Sequence, residues 1–270
     1  MNMEHDTIKN IILNDKNIKY TIFDPTKNIT ILVESDIDVK NQPAIARMLM
    51  EIHPDAEQVG FVSLDENKNI KLSMAGGEFC GNATMCAGVY AVINDESYNN
   101  KFANFTKTIY VDALKKYVEV EVKCINENKF IGTVNMPRAK EIKNIKFPDG
   151  EIYDVVRLQG ISHIIIDIKN MVLKNYFENK IKSYCDFLNA ESLGIIFYDK
   201  NKNSITPLVY VKNADTLYWE NSCASGSIAV YEYLKIKNAE LSILQPCNEY
   251  LKIYEKNNEL YLSGEVMVLK

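Results

Sequence analysis

Apolar and polar positions alternate with period two from Tyr117 to Val122. That is the pattern of a strand with one buried face. Runs rich in β-formers at 208–211, 251–254 and 265–269 predict further strands, and Ile164-Ile165-Ile166 predicts a buried one. Helical patterning is rarer. Residues 44–52 read as an amphipathic helix stopped before Pro54, and 171–188 as a second. Two other stretches behave differently. The segment Ala83–Ile93 (ATMCAGVYAVI) is apolar all round, and the segment from Ile228 (IAVYEYL) nearly so. A helix without a polar face belongs inside, surrounded by other structure. The predicted fold class is therefore α/β (α+β), with barrel-like mixed sheets each wrapped around a central helix.

The landmarks occur twice, in the same order. Asn28-Ile-Thr-Ile-Leu-Val is answered by His163-Ile-Ile-Ile-Asp, and Gly60-Phe61-Val62 by Gly194-Ile195-Ile196. Glu78-Phe79-Cys80-Gly81-Asn82-Ala83 is answered by Glu220-Asn221-Ser222-Cys223-Ala224-Ser225-Gly226, and Gly132-Thr133-Val134 by Gly264-Glu265-Val266. Cys223 follows Cys80 by 143 residues (223 − 80), about half the chain. Each match is weak alone; four in register favour a duplication. The expected domains are 1–136 with the Cys80 motif and 137–264 with the Cys223 motif. The crossover falls near Met136-Pro137-Arg138, and the last strand, 265–270, is free to join the first half.

Composition narrows the function. The 270 residues are 47% hydrophobic and 25% charged, which excludes disorder as the main state. A net charge of −5 argues against nucleic acid or an anionic membrane as partner. The N-terminus carries charges throughout, unlike a secretory signal. No apolar run approaches the roughly 18 residues of a membrane helix. The expected location is cytoplasmic, where thiols stay reduced, so six cysteines do not imply three disulfides. No CxxC pair is present, and His5, His53 and His163 lack metal-ligand spacing. Neither GxxxxGK[ST] nor GxGxxG occurs. No metal and no cofactor are expected.

The matched cysteines both precede small residues at the start of a buried helix. Backbone N–H groups there favour anions, so a substrate carboxylate can be held and a thiol pKa lowered. Were the duplicated halves to face each other, the two thiols would meet across one cleft. Inverting a carbon centre by proton transfer needs a base on one face and an acid on the other, a role suited to a thiolate and a thiol. A free cysteine is otherwise a small buried hydrophobe. That is the reading for Cys86, Cys124, Cys185 and Cys247; spacing and chemistry leave both readings open for Cys80 and Cys223.

The segments Gly77–Met85 and Trp219–Gly226 resemble the two cysteine motifs of the diaminopimelate epimerase superfamily. Their form looks most like the cofactor-independent histidine racemases of opine-metallophore pathways, of the staphylopine type. Asn28–Val33, Glu57–Phe61 and Gln245-Pro246 agree with that branch. The resemblance implies two related halves with the active site between them, and Cys80 and Cys223 as the acid/base pair. It implies substrate contacts from the backbone at Gly81, Asn82, Ser225, Gly226 and Ser227, and from Asn28, Glu57 and His163. The implied reaction interconverts L- and D-histidine, and the implied partner is a small-molecule amino acid. The oligomeric state is left open, a homodimer among the options.

Departures bear on the substrate. The epimerases' ERGxGE stretch is replaced by Lys212-Asn213-Ala214-Asp215-Thr216, without arginine. A distal carboxylate would lack its bidentate partner, which disfavours diaminopimelate. The family's GNPH-like turn is Gly160-Ile161-Ser162-His163, and its PGG turn is Pro246-Cys247-Asn248. The remaining residues have plainer readings. Glu78 and Glu220 are first-turn acids or substrate-orienting groups, His163 is otherwise a satisfied loop histidine, and His53 is a helix terminus. Trp219 is a core anchor or a cleft wall. A diaminopimelate epimerase or other isomerase of the same fold, and a non-catalytic amino-acid- or metallophore-binding or thiol-redox protein, remain as alternatives.

Overall fold

A computed structural model describes residues 9–13, 16–95, 98, 102–236 and 239–269. The chain divides into two compact units. Unit 1 comprises Met1–Ala75, Asn82–Val134 and Gly264–Lys270; unit 2 comprises Gly76–Gly81 and Asn135–Ser263. Both matched cysteines lie in unit 2, Cys80 on a six-residue segment and Cys223 on the larger one.

Unit 1 contains strands β1 (Lys9–Leu13), β2 (Lys16–Pro25) and β3 (Thr30–Val33), helix α1 (Gln42–Ile52), and strands β4 (Gln58–Leu64) and β5 (Ile70–Met74). Helix α2 (Gly81–Ile93, whose first residue belongs to unit 2), β6 (Asn104–Val111), β7 (Lys116–Cys124) and β8 (Lys129–Met136, whose last two residues belong to unit 2) follow. Unit 2 contains β9 (Glu141–Lys146), β10 (Ile152–Arg157), β11 (Ser162–Asp167), α3 (Lys174–Phe187), β12 (Ser192–Asp199), β13 (Ser204–Val211) and β14 (Thr216–Trp219). It continues with α4 (Ala224–Tyr233), β15 (Leu241–Leu244), β16 (Tyr250–Lys256) and the start of β17 (Glu259–Leu269), whose end belongs to unit 1.

The two units repeat one pairing pattern. From β2 to β8, successive neighbours pair antiparallel, parallel, antiparallel, parallel, antiparallel and antiparallel. From β10 through β11, β12, β13, β15 and β16 to β17 the series is the same. Parallel neighbours need a crossover, and helices supply it at matching places. Helix α1 joins β3 to β4 as α3 joins β11 to β12; α2 joins β5 to β6 as α4 leads from β14 into β15. The fold is the expected α+β duplication. In unit 1, β17 pairs with both β2 and β8, which closes an eight-stranded ring and leaves these strands no free edge.

The all-apolar helices lie inside, as their patterning requires. A Cβ on Gly88 of α2 would come 2.5 Å from Val120 Cγ1 of β7, and one on Gly132 of β8 would come 2.9 Å from Met85 Cβ. Glycine at these two positions lets helix and sheet approach closely. Helix α4 packs on β10, β11, β12, β13 and β16, and Ala224 to Tyr231 are all buried. The outer helices are amphipathic instead. Leu49 of α1 joins Ile31, Val33 and Phe61, while Phe177, Ile181 and Tyr184 of α3 join Ile164, Ile195 and Phe197. Among the described residues no helix is long and apolar enough to cross a membrane.

Candidate functional site

Helix α4 begins with a cysteine as its N-cap. Cys223 has extended backbone dihedrals (φ −128°, ψ 104°), and its Sγ accepts the Gly226 N–H at 3.3 Å. A sulfur thus takes the place usually filled by a Ser, Thr, Asp or Asn oxygen. Ser225 Oγ lies 3.6 Å from the same sulfur. A Cβ at 226 would fall 2.7 Å from Ile196 Cδ1 and 3.1 Å from Cys223 Sγ, so any larger residue there must displace these side chains. Cys223 is 3% exposed. Burial, and after it the Glu220 carboxylate hydrogen-bonded to the thiol, push its pKa well above the usual thiol value. Ser225 and the Gly226 N–H pull the other way and lose. The expected lowering by the helix start is therefore overturned: desolvation in this pocket outweighs one N–H contact.

The Gly76–Gly81 segment packs within unit 2 beside that helix start. A Cβ on Gly81 would lie 3.0 Å from Ala224 Cβ and 3.0 Å from Met136 Sδ, so Cys80 immediately precedes a point of near contact with α4. Asn213 Nδ2 donates to Gly76 O at 3.2 Å. The Gly160 turn (φ +83°) supports the segment from another side, since a Cβ there would sit 3.2 Å from the Phe79 nitrogen. Cys80 itself is partly exposed. Glu78 is not in the first turn of α2. Its carboxyl folds back over Gly76, and its buried Oε2 has no hydrogen-bond partner among the described residues. Burial pushes Glu78 above the usual carboxylate range, against the N–H groups of Glu78 and Gly76.

His163 lies on β11, not in a loop. It is fully buried, and neither ring nitrogen has a hydrogen-bond partner among the described residues. It pairs in register with Gly194 of β12, and a Cβ on Gly194 would collide with Nδ1 at 2.2 Å. Gly194 is therefore the recess that holds the imidazole. Gly194 and Ile196 share a strand face, and Ile196 touches Gly226, so His163 lies on the face of the sheet that carries α4. Burial lowers its pKa to about 3, so the ring is neutral at ordinary pH.

In unit 1 three expected residues come together. Asn28, 1% exposed, donates through Nδ2 to Glu57 Oε2. Its Oδ1 accepts from Asn82 Nδ2 at 3.0 Å and from Gln58 Nε2 at 2.5 Å. Gln58 also donates to Thr30 Oγ1 at 2.8 Å, and Thr30 donates to Asn28 O at 2.9 Å. Asn82 is only two residues beyond Cys80 in the chain. The cluster is a connected amide–carboxylate network, which orients each member through its neighbours.

A family model described as the histidine racemase CntK N-terminal domain matches residues 17–268. The chain belongs to the histidine racemase family. A histidine racemase of Fusobacterium nucleatum subsp. nucleatum is 36% identical over 253 residues, covering 91% of this chain and 91% of the relative. One of Staphylococcus aureus (strain Mu50) is 27% identical over 262 residues, with 92% of each chain covered. Among solved structures, a probable proline racemase of Agrobacterium radiobacter K84 aligns with a TM-score of 0.68 at 11% identity, covering 93% of this chain and 91% of that one. A hydroxyproline epimerase of Agrobacterium vitis aligns with a TM-score of 0.67 at 9% identity, covering 99% and 92%. As a racemase-family member the protein is an isomerase, on the fold these structures share.

Other expected residues take structural places. Ser227 is occupied: its N–H and Oγ–H both go to Cys223 O, at 3.0 and 2.7 Å. Cys86, Cys124 and Cys185 are buried, whereas Cys247 is partly exposed in the β15–β16 turn, with its N–H on Asn221 O at 3.3 Å. No cysteine is in a disulfide. Trp219 is a core anchor: it stacks on Phe197 at 5.8 Å and donates to Glu178 at 2.6 Å. His53 caps the C-terminus of α1 and meets Tyr20 OH at 2.9 Å. His5 lies outside the described residues. Two polar residues escaped the sequence reading as site members, Gln58 and Gln245. Gln58 follows Glu57 directly, and that adjacency was the one usable signal; nothing local marks Gln245 as a neighbour of Cys223.

Proposed function

We propose that the protein interconverts L- and D-histidine by proton transfer at the α-carbon, with Cys80 and Cys223 as the two acid/base groups and no cofactor. The observation that carries this reading is the placement, in one compact unit of a histidine racemase-family chain, of two cysteines, Cys80 just before Gly81 and Cys223 just before Ala224, with a Cβ on Gly81 falling 3.0 Å from Ala224 Cβ. One thiolate takes the α-proton, and the other thiol gives a proton to the opposite face. In the reverse direction the roles exchange. The starting state needs one thiolate and one thiol. Cys223, buried and facing Glu220, is the better proton donor for that state, and the partly exposed Cys80 the better first base.

Within unit 2 the substrate carboxylate would sit against the N–H groups of Gly81 and Ser225. These donors face the charge that builds on the carboxylate as the enolate forms. The Gly226 and Ser227 N–H groups already serve Cys223, so their part is to hold the cysteine. Asn28 and Glu57 supply polar groups of the right sign for an ammonium or imidazole. His163, neutral and buried on the α4 face, offers a ring nitrogen as donor or acceptor. The reaction needs reduced thiols, as in the cytoplasm.

The test is α-proton exchange in D2O with a panel of amino acids. L-histidine should gain deuterium at Cα and yield D-histidine. No exchange with any amino acid, from reduced protein, would reject the reading. Faster turnover of LL-diaminopimelate than of histidine would replace the substrate.

A further inference from the structure

We infer that Gln245 is a positioning residue for racemisation, holding the Cys223 peptide so that the thiol stays seated on the first turn of α4. The inference rests on Cys223 being an acid/base group, as proposed above. Gln245 directly follows β15 and is 2% exposed. Its Oε1 accepts the Cys223 N–H at 2.9 Å. Its Nε2 donates to Ser227 Oγ at 3.0 Å and to Ile243 O at 3.1 Å. Ser227 Oγ in turn donates to Cys223 O at 2.7 Å. Cys223 N–H, the Gln245 amide, Ser227 Oγ and Cys223 C=O thus form one closed ring of hydrogen bonds, with both ends of the cysteine held.

The ring does something packing alone would not. An amide side chain carries an acceptor and two donors at fixed separation. Here all are used, and in the one orientation that suits a backbone N–H on one side and a hydroxyl with a carbonyl on the other. With both peptide groups fixed, the Cys223 side chain is directed at the Gly226 N–H, the contact that favours its thiolate. The backbone beneath is tied as well. Gln245 N–H donates to Glu249 O, Asn248 N–H to Gln245 O, and Cys247 N–H to Asn221 O, so the β15–β16 turn forms a shelf under the 221–223 loop. Asn248 closes that turn at φ +65°, a conformation asparagine tolerates. The replaced family turn therefore still serves this shelf.

The test uses the full chain with Gln245→Leu, Gln245→Glu and Cys223→Ser. Readouts are kcat and KM for L- and D-histidine, and the pH profile of Cys223 alkylation, read from its peptide by mass spectrometry. Gln245→Leu should lower kcat at least tenfold with KM changed less than twofold, and should move the Cys223 alkylation profile to higher pH. Gln245→Glu keeps the acceptor for the Cys223 N–H, and its carboxyl donates only when protonated. Its kcat should recover towards acid pH, a signature that a general loss of stability would not produce. If Gln245→Leu does not fold, Gln245→Glu carries the test alone. Wild-type alkylation and kcat profiles in the folded Gln245 variants, with Cys223→Ser inactive, overturn the role of Gln245 and leave the two-base reading standing. Full activity in Cys223→Ser overturns both.

Discussion

Unit 1 and unit 2 solve the same packing problem with different side chains. In each, a glycine on the strand after the first crossover helix lies under a large side chain from its parallel neighbour. Gly60 lies under Leu32 in unit 1; Gly194 lies under His163 in unit 2. The leucine is ordinary core. The histidine brings two buried nitrogens without hydrogen-bond partners among the described residues. Leaving such groups unpaired costs about 1–3 kcal/mol each, whereas an apolar side chain there costs nothing of the kind. The repeat has thus kept a shape and changed its chemistry, and the change sits on the face that carries α4. The two cysteines diverge in the same way. Cys223 is a buried helix cap, whereas Cys80 is partly exposed on a short segment leading into α2.

The largest effect should come from removing either thiol. Cys80→Ser and Cys223→Ser are each expected to cut racemisation by about 10³-fold or more, within the range of a general acid or base. Chiral chromatography of D-histidine formed from L-histidine measures this. A near-native rate in either variant would break the two-base pairing.

Next is the pH dependence of stability. His163 has a folded pKa near 3, below its unfolded value of about 6.5. Its contribution is therefore fully present above about pH 6.5 and is lost as pH falls towards 3. The loss should be on the order of a few kcal/mol, read by urea unfolding at pH 7 and pH 4. His163→Leu, which copies unit 1, should flatten that dependence. An unchanged slope would show that the histidine is not the group responsible.

The two glycines should separate by a smaller margin. Gly194→Ala puts a methyl into the imidazole and should cost about 1–3 kcal/mol. Gly60→Ala meets the flexible ends of Leu32 and Leu72 at 3.0 Å and Met74 Sδ at 3.2 Å, and should cost less. His163→Ala should relieve the Gly194→Ala penalty; additive losses would refute direct contact.

The smallest expected effect is electrostatic. Glu220→Gln removes a negative charge beside Cys223, so the thiol pKa falls and alkylation of Cys223 begins at lower pH. Cys80, followed in the same digest, provides the reference. The sign also reaches stability. A thiol with a raised folded pKa stabilises the fold below its unfolded pKa, and that contribution is lost as pH rises through the folded value. In Glu220→Gln the loss should be smaller and complete at lower pH than in the parent, while its onset, set by the unfolded thiol, stays the same.

Much of the fold was legible because its signals are local. The all-apolar ATMCAGVYAVI segment has nowhere to go but inside, and it became α2. The alternation at 117–122 became β7, with its valines buried. The duplication was visible because Gly60 and Gly194 answer each other, though the reason each must be glycine is a contact across a strand pair. Cys80 and Cys223 stood out because small residues follow both. Gln245 stood out only as part of the Gln245-Pro246 resemblance and not as a site residue, because its partners Cys223 and Ser227 are 22 and 18 residues away and nothing in its own neighbourhood marks them. The raised thiol pKa is not legible in the sequence for a related reason. A helix start is visible in sequence, but the depth of its burial and the approach of Glu220 are not.

The chain by itself determined its elements, its duplication, its family and the two cysteines that deserve testing, since each is written in spacing and side-chain type. Tertiary structure decided what those residues experience. It wrapped unit 1 into a closed ring through β17, brought the Cys80 segment against the start of α4, buried His163 over a glycine recess and set Gln245 behind Cys223. Desolvation, close approach and hydrogen bonding between distant positions depend on three-dimensional neighbours, and the order of residues along the chain does not name them.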